Sequence, residues 1–141
     1  MSLPILSSVL LVDDDSTTNY LNKLLLTKTM QVTQQVLIAE NGQEALHTLA
    51  QTCVATSASC PALILLDLNM PVMNGREFLA RYVQLPAAQR QGIVVVLLTT
   101  SLHEQDLLAA QQLPIADFLT KPLTRTKLTD LLARHFAQSP E

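Results

Sequence analysis

Four short segments of this sequence that read as strands each end on residues suited to phosphate chemistry. Val9 to Val12 is followed by Asp13, Asp14 and Asp15, and Leu63 to Leu66 by Asp67. Ile93 to Leu98 leads to Thr99, and Asp117 to Thr120 leads to Lys121. If Asp13, Asp14 and Asp67 meet, they repel: two unit charges ~4 Å apart cost about 4 kcal/mol at an effective dielectric of ~20. Such a cluster takes up protons or recruits a cation. An oxygen-only ligand set favours Mg²⁺ or Mn²⁺. A carboxylate beside such a metal can attack phosphorus, because the metal screens its charge from the incoming phosphoryl group. Lys121 and Thr99 would then donate to the phosphoryl oxygens. Each residue also has a plain reading. The Asp13–Asp15 run could be a solvated turn, Asp67 a turn residue, Thr99 a helix cap, and Lys121, before Pro122, a surface charge. What carries weight is the combination, in one order, each at the end of such a segment.

The elements that would position these residues alternate along the chain. Strands are expected at 9–12, 36–39, 63–66, 93–98 and 117–120, the first reading as buried on both faces, the third as buried and the fourth as the most apolar of all. Helices are expected from Ser16, as cap, through Lys28 with Tyr20, Leu21, Leu24 and Leu25 on one side, and from Gln43 to about Gln51 after the Asn41-Gly42 turn. Three more follow, to about Gln84, from about His103 to Gln111, and from about Arg125 to Phe136. Residues 52–61, 70–74 and 86–92 read as connections. Five strand-then-helix repeats argue for an α/β fold, a doubly wound five-stranded parallel sheet with helices on both faces. In such sheets chemistry collects at the carboxyl ends of the strands, near the topological switch point, which is where Asp13, Asp67, Thr99 and Lys121 fall.

Bulk properties narrow the classes. The 141 residues suit one domain with a single core, and 48% hydrophobic against 15% charged residues argues for packing rather than disorder. No apolar run approaches the ~20 residues of a membrane span, and the N-terminus does not read as a secretory signal. A net charge of −3, with nine Lys and Arg, leaves no basic stripe for direct nucleic-acid binding. Gly42, Gly75 and Gly92 are too far apart for a G-x-G-x-x-G or Walker-type loop. Cys53 and Cys60, in a Ser/Thr/Ala-rich stretch, suggest neither a disulfide framework nor a zinc site, and with His47, His103 and His135 they read as structural or surface residues. A reducing cytoplasm is the expected home.

Four segments, in order, resemble the response-regulator receiver family of two-component signalling. They are Val9 to Asp15, Leu65-Leu66-Asp67-Leu68-Asn69-Met70-Pro71-Val72-Met73-Asn74-Gly75, Val95 to Ser101, and Asp117-Phe118-Leu119-Thr120-Lys121-Pro122. The likeness spans about residues 7–136, so one receiver domain of flavodoxin-like (βα)5 fold is expected over 1–141. Asn74 to Leu79 resembles stand-alone receivers without an output domain. The resemblance implies that Asp67 is the phosphoacceptor and takes its phosphoryl group from a phosphohistidine of a sensor histidine kinase or phosphotransfer protein. It implies Mg²⁺ as cofactor, held by Asp14 and Asp67 carboxylates and the Asn69 backbone carbonyl, with Asp13 acting directly or through water. Lys121 would pair with the phosphoryl group and Asp67, and Thr99 and Phe118 would switch a surface read by a downstream protein partner. Asn69 and Ser101 would flank the path of the water that removes the phosphoryl group. The chain departs from the family at Asn74, often Asp there, at Thr100, often Ala or Gly, and at Gly92-Ile93, where a Pro is common.

Two other readings compete. Asp13-x-Asp15-x-Thr17 fits the nucleophile motif of haloacid-dehalogenase phosphatases, but after Lys121 only Asp130 and Glu141 remain for that family's acidic pair. A non-phosphorylated pseudo-receiver would be expected to lack an acid, the acceptor or the Lys, and all are present.

Overall fold

The structure, a computed structural model, describes residues 3–53, 60–100 and 112–136. Five parallel strands form one sheet in the order β2-β1-β3-β4-β5, with β1 Val9–Val12, β2 Val36–Ala39, β3 Leu63–Leu66, β4 Val94–Thr99 and β5 Asp117–Thr120. The strands are Leu-, Ile- and Val-rich runs, and in the central β1 and β3 every residue is buried. Side chains alternate between the two faces of a strand, so each run feeds two cores. Leu10, Val12, Ile64 and Leu66 pack with Ala45, Leu49, Phe78 and Leu79 on one side. Val9, Leu11, Leu63 and Leu65 pack with Leu26, Leu128, Leu131 and Leu132 on the other. This doubly wound arrangement matches the expected fold class.

Among the described residues four α-helices cover those faces: α1 Ser16–Leu24, α2 Gly42–Thr52, α3 Gly75–Tyr82 and α4 Arg125–His135. The expected helix near 103–111 lies outside the described residues, as does Ser101. Helix α1 is capped by Asp15 rather than Ser16. Asp15 has extended backbone and accepts the Thr17 N–H at 3.0 Å, so the three-acid run itself supplies the cap. The apolar side expected for α1 is also revised. Tyr20 and Leu21 are 62% and 57% exposed, while Asn19 and Asn22 are buried. The inward face of α1 meets the polar end of the sheet, where Asn19 Nδ2 donates to the Asp13 carbonyl at 2.8 Å. Apolar burial begins one turn later, at Leu26, where the helix winds on as a π-turn over Leu25–Thr29.

Cys53 and Cys60 form a disulfide, contrary to the reading of them as unpaired. Cys53 caps the end of α2 and Cys60 stands three residues before β3, with a Cα–Cα distance of 4.5 Å between them.

Helix α3 begins hard against the end of β3. Asn74 and Glu77 form a reciprocal capping box, and the Gly75 N–H donates to the Leu68 carbonyl at 2.9 Å. A Cβ at Gly75 would stand 2.5 Å from the Asp67 carbonyl oxygen and 3.0 Å from Leu68 Cα, both backbone atoms. Gly75→Ala must therefore push the loop after Asp67 outward. It is expected to lower stability by about 1–3 kcal/mol, read as the midpoint of chemical denaturation. An unchanged midpoint would mean that the close approach is not required.

Candidate functional site

Strand register brings the site together. Val12 pairs with Leu66, so the next residues, Asp13 and Asp67, emerge abreast on neighbouring strands. The Asp67 N–H donates to the Val12 carbonyl at 2.9 Å and the Asp13 N–H to the Ala39 carbonyl at 3.0 Å. Thr99 pairs with Thr120, and the Lys121 N–H continues that ladder to the Thr99 carbonyl at 2.7 Å. Because β1 and β3 are adjacent while β2 lies on the far side of β1, this edge is the switch point of the sheet.

One carboxylate oxygen from each of Asp13, Asp14 and Asp67 lies within 4.8 Å of the others. Asp13 and Asp67 are buried, 5% and 8% exposed, and Asp14 is open to solvent. Lys121 Nζ is 2.6 Å from Asp13 Oδ2 and 3.6 Å from Asp67 Oδ1. Burial pushes the Asp67 carboxyl above its ordinary range; the charges of Asp13 and Asp14 push the same way, against the pull of Lys121. Burial works against the Lys121 ammonium too, but its hydrogen bond to Asp13 and the charges of Asp67 and Asp13 outweigh that and raise its pKa. Asp15 is lowered by hydrogen bonds from the Thr18 hydroxyl and the Thr17 N–H. It serves its own helix, which is not the role a phosphatase acid at that position would need.

Three carboxylates against one ammonium leave this corner negative. The donor set is all oxygen, with one open member, and suits a hydrated divalent cation such as Mg²⁺. Asn69, two residues past Asp67, is exposed. Thr99 is 4% exposed at the end of β4. Phe118 pairs with Leu97 in the sheet and packs half-buried against the core shared with α2 and α3. Val72, in the same loop as Asn69, holds a φ of 68° while 75% exposed, a conformation that costs a β-branched residue on the order of 1–3 kcal/mol. The sequence reading missed Asn19, whose Nδ2 holds the Asp13 backbone while its buried Oδ1 has no partner. The only signal was a pair of Asn at i, i+3 in a helix otherwise read as apolar.

The raised Asp67 has a consequence for stability. Below its ordinary value of 3.8 the carboxyl is protonated folded or unfolded and costs nothing. As pH rises through the raised folded value, the folded state must hold an unfavourable charge, and stability is lost. Asp67→Asn should therefore be more stable than the unmodified metal-free protein at neutral pH, with the gap shrinking as pH falls below the carboxylate range. Melting curves in chelator across that range check this, and a gap that stays constant or widens in acid would contradict it.

A model of the response regulator receiver domain matches residues 9–133. Response regulator Rcp1 of Synechocystis sp. is 39% identical over 113 residues, 80% of this chain and 75% of that protein. Its Mn²⁺-bound crystal structure covers 95% of this chain and 96% of its own, at TM-score 0.67 and 32% identity. A two-component response regulator from Cytophaga hutchinsonii superposes at TM-score 0.80 with 27% identity, covering 98% and 100% of the two chains. A phosphorylated cyanobacterial phytochrome response regulator, RcpA, is 29% identical at TM-score 0.68 and covers 94% and 96%.

Proposed function

Because the chain belongs to the response regulator receiver domain family, we propose that Asp67 is its phosphoacceptor, with Asp13, Asp14, Asp67 and the Asn69 carbonyl holding Mg²⁺. The observation that carries this reading is the position of Asp67, with the Lys121 ammonium at 3.6 Å and Asp13 and Asp14 oxygens within 4.8 Å. The donor is a phosphohistidine of a sensor kinase or phosphotransfer protein. An Asp67 carboxylate oxygen forms the bond to phosphorus as the phosphorus–nitrogen bond of the donor breaks and its electron pair leaves with the imidazole. Lys121 and the Thr99 hydroxyl donate to the phosphoryl oxygens. Mg²⁺, when bound, screens the carboxylate charge from the incoming group.

The family's work is signalling, and receivers act between histidine kinases or phosphotransfer proteins and downstream effectors. Here we place one receiver domain over the whole chain, core about 7–136, acting in the cytoplasm on its own phosphorylation state rather than as a turnover enzyme. No helix among the described residues is long and apolar enough to cross a membrane.

Incubation with a small phosphodonor should label the protein in a Mg²⁺-dependent, acid-labile manner, and Asp67→Asn should lose that label. Full labelling of the variant would remove Asp67 from the role, and an unlabelled wild type would support the pseudo-receiver reading. Mg²⁺ should also raise the melting temperature, since binding to the folded state alone stabilises it. Asp14→Asn should weaken that rise; an Mg²⁺ titration that moves neither protein would count against a cation site.

Output requires an element with two states that phosphorylation biases. Thr99 supplies the hydroxyl that follows the phosphoryl oxygen, and Phe118 the large side chain that fills the space it leaves. The half-burial of Phe118 supports this, since a fixed core ring would be expected fully inside. Phe118→Ala should still label at Asp67 but lose the phosphorylation-dependent gain in self- or partner association. A gain equal to wild type would reject the switch role. A loss of about 3–5 kcal/mol of stability with association intact would mark a plain core residue.

A further inference from the structure

Lys127 is the third residue of α4 after its Thr124 cap, whose hydroxyl accepts the Lys127 N–H at 3.2 Å. A cation in the first turn is opposed by the helix dipole, so charge placement does not favour Lys there. Its ammonium has three N–H donors, and three oxygens receive them. Nζ is 2.8 Å from the Thr120 carbonyl, 3.2 Å from the Thr120 hydroxyl and 3.1 Å from the Pro122 carbonyl. Those residues bracket Lys121. On its other side the Lys121 backbone N–H is tied to the Thr99 carbonyl at 2.7 Å. The backbone that delivers Lys121 to Asp13 and Asp67 is thus pinned by β4 and by one side chain of α4.

We propose that Lys127 is a positioning residue for Lys121: by gripping the Thr120 and Pro122 carbonyls it fixes the short segment from which Lys121 reaches the phosphoryl group. This rests on the reading of Asp67 and Lys121 given above. Lys127 makes no contact with the three carboxylates among its hydrogen bonds, so its loss should slow phosphoryl transfer and leave Mg²⁺ affinity in place. Truncating it frees the segment, and displacement of a reacting group by an ångström or so lowers rates by roughly ten- to a hundredfold. A residue that acts only through Lys121 has nothing left to position once Lys121 is gone.

The test is a double-mutant cycle on the full chain. Labelling rates with a small phosphodonor at saturating Mg²⁺ are measured for wild type, Lys121→Met, Lys127→Met and the double variant, each normalised to folded protein. Mg²⁺ affinity and melting temperature are recorded alongside. The expected result is that Lys127→Met slows labelling by roughly ten- to a hundredfold with Mg²⁺ affinity unchanged, and that the double variant is no slower than Lys121→Met alone. Wild-type rates in Lys127→Met, or two factors that multiply in the double variant, would overturn the inference while leaving Asp67 and Lys121 in their roles. Wild-type rates in Lys121→Met would overturn the reading of Lys121 and this inference with it. If Lys127→Met does not fold, Thr120→Val removes one of the three acceptors, leaves the ammonium in place, and runs the same cycle with a smaller factor.

Discussion

The repulsion among Asp13, Asp14 and Asp67 is the constraint that the rest of the molecule has to hold. Three carboxylates with oxygens inside 4.8 Å, two of them buried, would separate if their backbones were free. They are not free, because Val12 and Leu66 are paired in the sheet and their side chains are sealed into the core that α2 and α3 cover. Hydrophobic burial along β1 and β3 thus sustains a local electrostatic cost. Lys121 offsets part of that cost by closing on Asp13, and a divalent cation would offset much of the rest. The same charge that burdens the metal-free fold is what would draw a divalent cation and, on the function proposed above, serve the attack on phosphorus. Stability and function are opposed at this one edge of the sheet.

Lys121 reaches the acids directly with its side chain, while three other supports act on the backbone that carries the site. Asn19 steadies the Asp13 carbonyl from α1, Gly75 lets α3 start against the Asp67 carbonyl, and Lys127 grips the oxygens around Lys121 from α4. Three of the helices, α1, α3 and α4, thus each contribute one contact that bears on the site at second hand. Thr99 and Lys121 are linked by a ladder hydrogen bond, so a displacement of the β4 end is felt at the base of Lys121. This is a physical route by which chemistry at Asp67 can reach the surface formed by β5 and α4.

Much of this was legible in the sequence because apolar runs and their terminal residues report topology directly. A run such as Leu63 to Leu66 is buried on both faces, and parallel order then puts Asp67 beside Asp13. What was not legible depends on three-dimensional direction. Tyr20 and Leu21 read as a buried side, yet the inward face of α1 meets a polar sheet end and takes Asn19 and Asn22. Ser16 and Asp15 are both competent caps, and only the backbone angle at Asp15 decides between them. The Cys53–Cys60 bond requires the two Cα atoms to stand 4.5 Å apart, which a spacing of seven residues alone does not specify. The three acceptors of Lys127, two on Thr120 at the end of β5 and one on Pro122 just after it, leave no mark in the sequence periodicity of α4.

On the function proposed above, one carboxylate, Asp67, forms the bond to phosphorus. An acyl phosphate is reduced by borohydride to an alcohol, which converts the aspartyl residue that carried it to homoserine. Peptide mass mapping of phosphorylated, borohydride-treated protein reads that position directly. The account predicts homoserine at position 67 alone, dependent on Mg²⁺ and absent without the phosphodonor. Homoserine at position 13 or 14 instead, or at none of the acids of this edge in protein that has taken up phosphate, would contradict it.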